Sequence, residues 1–277
     1  MNKLATLLGL MLGVIVLVAS MFDYQQMHFV SAFFDARSAL IVVGGVMAAI
    51  LINYPLNQLP CIAKGFWIAI SRESESEQLV IDELLDLAII AHRQGKLALE
   101  KQLDTIHHDF IRLGINELLM SSDATVLERN LYHELSSMQL RHGNCQELFY
   151  NMASYAPAFG MLGTVMGLIM MMSMQGNTNP ADNFAMNEGN DVMQQLLSGM
   201  GVALVTTFYG VLLANFIFLP IAGKLSSLSK QEAREAEIIT IGILAIQRQE
   251  SPLRIKDALL MFVSQRLRDD INEQRQR

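Results

Sequence analysis

The chain has 277 residues, of which 52% are hydrophobic and only 17% charged, whereas soluble domains usually carry about a quarter charged residues. With a positive mean hydropathy, that deficit points away from a soluble domain and toward a membrane protein. The net charge of −7 excludes a basic nucleic-acid footprint.

A bilayer core of about 30 Å takes about 20 apolar residues in a helix. Four stretches qualify in chain order. The first runs from Leu4 to Met21. Lys3 precedes it as in a signal peptide, but the run is long and the cleavage pattern weak, so an uncleaved span is expected. The second covers Ala39 to Ile52, extended by Ser38 and by Asn53 to Leu56. The third covers Tyr155 to Met174 and the fourth Leu196 to Ala222. None of the four contains Asp, Glu, Lys or Arg.

Basic residues set the orientation. Segment 57–150 holds eight of the 20 Lys and Arg, and segment 224–277 holds ten. Lys3 lies at the N-terminus, Arg37 lies between the first two spans, and 175–195 has none. Both termini and 57–150 are therefore expected in the cytoplasm. The expected class is an all-α integral membrane protein with four spans: a hairpin at 1–56, a cytoplasmic helical domain at 57–150, a second hairpin at 151–223 and a cytoplasmic tail at 224–277.

Between the hairpins, Leu79, Ile81, Leu84, Leu85, Leu87, Ile89 and Ile90 repeat with helical period, opposite Glu83 and Asp86. Gly95 interrupts, and a helix is expected to resume from Leu97 to Ile106. Another amphipathic helix fits 125–142, with Asp123 or Thr125 near its start. Cys61 and Cys145 do not make a disulfide framework. In the cytoplasm they are expected to stay reduced and structural. His107 and His108 are adjacent, which is not metal-ligand spacing on a helix. The 18 methionines read as flexible packing. No Ser/His/Asp set, phosphate loop or dinucleotide motif is present. An enzyme, a resident cofactor and a metal site are therefore not expected.

Span three places Pro157, Gly160, Thr164, Gly167 and Met171 on one helical face. Gly163 and Gly167 form a GxxxG pair, and Gly9 and Gly13 repeat it in span one. Span four carries Gly199, Gly201, Gly210, Thr206, Thr207 and Asn215. Glycines at these places suit close helix packing. Membrane threonines commonly bond to their own backbone, but three on two helices beside small faces also suit an ion path. An ion path normally needs an ionisable group in the bilayer, and these spans have none. If the chain conducts, another polypeptide supplies the carboxylate.

Together the runs Leu4–Leu10 and Ile41-Val42-Val43-Gly44-Gly45, the segments Pro157–Leu168 and Gly201–Asn215, and Pro220–Ser226 resemble the A subunit of flagellar stators. This is the MotA/PomA family within the MotA/TolQ/ExbB group. The likeness covers nearly the whole chain, and four spans favour this branch over the three-span TolQ and ExbB relatives. The resemblance implies a pentamer of this chain around a dimer of a B-type subunit. That partner brings the intramembrane Asp and a peptidoglycan anchor, and the ring drives the flagellar rotor switch complex. It further implies that Arg93 and Glu100 contact the rotor and that Pro157 and Pro220 couple torque. Thr164 and Thr207 would line the ion site, with Thr206 as a neighbour on another face. Sodium is favoured over the proton because hydroxyl oxygens suit a hard cation. A TolQ/ExbB-like energiser of another envelope process is the alternative. The loop Gln175–Gln195, with Asp182, Glu188 and Asp191, is longer than the family pattern and reads as an acidic vestibule or a connector.

Overall fold

A computed structural model describes residues 3–23, 28–29, 33–71, 77–121, 123–175 and 188–262. Almost everything described is helix. α1 spans Lys3–Ser20, followed by a minimal antiparallel pair, β1 (Phe22–Asp23) and β2 (His28–Phe29), with Phe22 opposite Phe29. α2 is Ala36–Asn53 and contains a π-helical stretch at Leu40–Gly44. α3 is Pro60–Ser71, α4 is Glu77–Gln94 and α5 is Asp109–Met120. α6 runs from Ala124 to Gln175. α7 (Glu188–Leu212) passes through a π-helical stretch, Leu213–Phe218, into α8 (Leu219–Gln247). α9 is Pro252–Leu260.

Three described helical stretches are long and apolar enough to cross a membrane: Ala36–Asn53, part of α6, and the stretch from Leu196. α1 is apolar too, with Met11–Ser20 as its shorter described run. The chain divides into two compact units. One comprises Met1–Arg72 with Asn144–Leu225, the other Glu73–Gly143 with Ser226–Arg277. α3 thus groups with the apolar helices.

Several local expectations are corrected. The helix expected over 125–142 and the third span are one helix, because nothing between Leu140 and Ala156 stops it and Pro157 lies inside it. Span four begins as helix at Glu188, before Leu196. The segment after Gly95 is a 3₁₀ helix, Lys96–Thr105. Leu99 is buried in it, while Leu97, Glu100 and Asp104 are exposed. Gly95 takes φ +85, which breaks α4 at little cost only in glycine. Cys61 and Cys145 are brought together as a disulfide pair, with Cα atoms 5.9 Å apart. Most of the acidic stretch 175–195 lies outside the described residues.

Caps explain the helix starts. Asp123 accepts from the Thr125 backbone N–H at 3.0 Å at the head of α6. That bond, with the one from the Thr125 hydroxyl, holds its carboxyl below the usual 3.8. His108 caps α5 by accepting from Phe110 N at 3.2 Å.

Each unit has its own core. In the first, Val46, Ile50, Phe149, Met152, Ala156, Ala214, Phe218 and Ala222 form one cluster. In the second, α4, α5, the start of α6 and the end of α8 pack around Leu84, Leu99, Ile111, Leu127 and Ile243. α8 ends in a Schellman-type turn: Gln249 N–H bonds Ile246 O and Glu250 N–H bonds Ala245 O. Gln249 sits there at φ 58, where a Cβ costs about 1–2 kcal/mol. Gln249→Gly is therefore expected to stabilise the chain by about 1 kcal/mol, read as a raised Tm in detergent.

Candidate functional site

The centre of the first unit is the contact between α6 and α7. Along α6 the stripe is Ala156, Gly160, Gly163 and Gly167; along α7 it is Gly199, Ala203, Thr206 and Gly210. Both repeat at i, i+4, i+7, i+11, the spacing that keeps one helical face toward a neighbour. The helices run antiparallel and touch backbone to backbone. A Cβ on Gly210 would lie 2.6 Å from Ala156 O, and one on Gly167 would lie 2.8 Å from Gly199 O. One on Gly160 would lie 3.1 Å from Thr206 O, and one on Gly163 would lie 2.6 Å from the Thr206 side chain. Gly201 has open space beside it. It lies about 200° round the helix from Gly199, away from the stripe.

The structure separates the three threonines. Thr206 is fully buried in the interface, and its hydroxyl donates to Val202 O and Ala203 O, both at 2.9 Å. It fills the hollow that Gly163 leaves. Thr207 is half-buried and donates to Ala203 O at 3.3 Å. It faces an apolar groove of about 670 Å³ lined also by Leu12, Gly13, Val211, Asn215 and Phe216. At Gly13 a Cβ would meet the Phe216 ring, which would have to move aside. Thr164 is half-buried at the edge of the α6 stripe and donates to Met161 O at 2.6 Å. Thr164 and Pro157 thus flank the contact face rather than lie in it. All three hydroxyls rest on carbonyls of their own helix, as isolated membrane threonines do. Each keeps lone pairs, and only Thr164 and Thr207 keep access.

Pro157 and Pro220 adjoin one cluster. Ala156, Phe218 and Ala222 all belong to it. Pro220 lacks the N–H that Phe216 O would receive, and its ring crowds that carbonyl. The chain answers by widening: Leu219 N–H bonds Ala214 O five residues back.

Sequence reasoning missed a polar tie at one end of α2. Tyr209 donates to Phe33 O at 2.5 Å and accepts from Asp35 N–H at 3.4 Å. Asp35 accepts from Ser38 N–H at 2.8 Å. The Ser38 hydroxyl is the main cause holding the Asp35 carboxyl below its usual range. The fully buried Ser38 also reaches Val202 O at 3.5 Å. The pattern Asp35-x-x-Ser38 is the sequence trace of this cap, since Ser/Asp spacing of this kind marks helix starts.

Arg93 and Glu100 lie in the second unit. Both are exposed, at the end of α4 and in the 3₁₀ segment. That segment is anchored where Lys96 Nζ donates to Gln247 Oε1 at 2.8 Å. Gln247 in turn donates to Ser121 O at 3.4 Å.

Overpacking at close helix contacts costs about 1–3 kcal/mol. Gly210→Ala and Gly167→Ala are therefore expected to lower the Tm of the solubilised protein, because the added methyl meets backbone that cannot turn aside. Gly201→Ala should leave the Tm unchanged or raise it.

The MotA/TolQ/ExbB proton channel family model matches residues 102–238. Motility protein A of Treponema phagedenis is 32% identical, over 84% of this chain and 85% of its own. Chemotaxis protein PomA of Vibrio alginolyticus is 32% identical over 93% of both chains. The flagellar MotAB stator complex of Bacillus subtilis contains a chain 25% identical to this one with a TM-score of 0.79, covering 96% of this chain and 98% of that one. The chain belongs to the Motility protein A branch of the MotA/TolQ/ExbB proton channel family, a channel family and not an enzyme family.

Proposed function

We propose that the chain is the ion-conducting A subunit of a flagellar stator, coupling passage of a cation to torque on the rotor. The observation that carries this reading is the close-packed, uncharged seam between α6 and α7, with Thr164 and Thr207 left accessible at its margins. The seam offers hydroxyl oxygens to a cation but no group that titrates. A bilayer path normally needs such a group, so the acid comes from a second, B-type chain bearing an intramembrane Asp and a peptidoglycan anchor. The solved relative being a MotAB complex supports that partner. Thr206 is assigned to packing.

Four spans are proposed in the inner membrane, with α1 as the fourth beside the three stretches long enough to cross. The termini and 57–150 lie in the cytoplasm, following the basic residues. The described faces of α6 and α7 suit lipid or helical partners: Met161 is 62% exposed and Leu204 69%, without a charge beside them. Five copies around two B chains would cover part of that surface. Arg93 and Glu100, exposed on the second unit, would meet the rotor. Sodium is preferred because Thr164 and Thr207 supply hard oxygen ligands.

Swimming speed is expected to rise with sodium at fixed pH and to survive a proton uncoupler. Speed that ignores sodium and collapses with the uncoupler would replace sodium with the proton. Thr207→Ala is expected to abolish or severely slow swimming at normal membrane abundance. Arg93→Glu is expected to lower torque severalfold while ion uptake by the complex persists. Full motility in both variants would point to an energiser of another envelope process.

A further inference from the structure

We propose that Cys61 and Cys145 are a reversible dithiol–disulfide site, oxidised by small-molecule disulfides, that fastens α3 to α6. The proposal rests on the cytoplasmic placement of 57–150 put forward above, where disulfides are transient and redox-sensing rather than permanent.

The Cα atoms are 5.9 Å apart, within the range a disulfide spans without backbone movement. Cys145 Sγ also lies 3.6 Å from Cys61 O, so α6 touches the start of α3 at this point. The pair closes a sequence separation of 84 residues, and the sequence has no third cysteine to compete with either thiol. α3 already lies tight against α6. A Cβ on Gly65 would stand 2.5 Å from the Phe149 ring, and the Phe66 and Phe149 rings meet edge to face at 5.6 Å. The two sulfurs are therefore held together by packing and not by a mobile loop.

The two thiols are not equivalent. Cys61 is the second residue of α3, directly after Pro60. A helix N-terminus is the positive end of the helix dipole, which favours the thiolate, the nucleophile in exchange. Lys64 follows one turn on and adds a cation. Cys145 lies mid-helix in α6, half-buried against the core cluster. Cys61 is thus the attacking sulfur and Cys145 the resolving one. The Cys61 thiolate attacks a small disulfide, forming a mixed disulfide and releasing one thiolate. Cys145, giving its proton to water, then attacks the Cys61 sulfur and expels the second thiolate. Two protein thiols become one S–S bond, and the small disulfide is reduced to two thiols. Closure ties α3 to the helix that continues to Pro157 and Thr164.

The test uses the full chain in its native membranes, treated with oxidised glutathione and then with dithiothreitol. Free thiols are alkylated at each stage and mapped by mass spectrometry. The expected result is two alkylated thiols before treatment, one intrachain Cys61–Cys145 bond after it, and two thiols again after reduction. Cys145→Ser should arrest Cys61 as a mixed disulfide. Two unreacted thiols after oxidation, two separate mixed disulfides, a bond between chains, or a bond already complete in untreated cells would each overturn the site. These wild-type readings decide even if the variant does not accumulate. They are independent of swimming, so failure of the redox site and failure of the stator reading are distinguishable.

Discussion

The contact on which the first unit depends is the direct approach of two backbones, α6 on α7. In lipid no hydrophobic gradient pushes helices together, so association relies on close van der Waals contact and interhelical dipoles. Glycine at 160, 163 and 167 facing glycine at 199 and 210 makes that approach possible. Thr206, its hydroxyl folded back onto Val202 O and Ala203 O of its own helix, fills the space beside Gly163. Side chains that could carry an ion are displaced to the margins of the seam, where Thr164 and Thr207 stand. The packing requirement and the functional reading therefore constrain the same few turns.

Backbone weakness is concentrated near one layer. Pro220 removes a donor from the helix that begins as α7, and the wide turn at Leu213–Phe218 absorbs the loss. Pro157 removes a donor inside the continuous α6, beside Ala156. Ala156, Ala214, Phe218 and Ala222 share one buried cluster. Under the proposed function, a shift of one span at its proline is felt by the other through close-packed side chains, which transmit strain because interiors have little free volume.

The second unit has a different logic. Its surface-bearing segment is a 3₁₀ helix too long to be stable alone. It is held by buried Leu99 and by Lys96 on Gln247, whose own amide reaches Ser121 O. Positioned this way, Leu97 and Glu100 are exposed, as is Arg93 at the end of α4.

The residue pattern alone determined the uncharged spans, the helical class, the family resemblance and the glycines of span three, because lipid tolerates neither charge nor unpaired backbone and leaves a compositional trace. It also marked Gly95 as a break. Helical phase across two chain segments was not legible. Only the fold showed that Thr206 belongs to the seam, that Gly201 points away from it, and that Thr164 sits at its edge. The union of 125–142 with span three, the 3₁₀ form of 96–105, the Tyr209 tie and the meeting of Cys61 with Cys145 were likewise decided in space. Composition records which solvent a segment prefers. Which face meets which neighbour depends on the registry of distant segments, and that is set only when the whole chain packs.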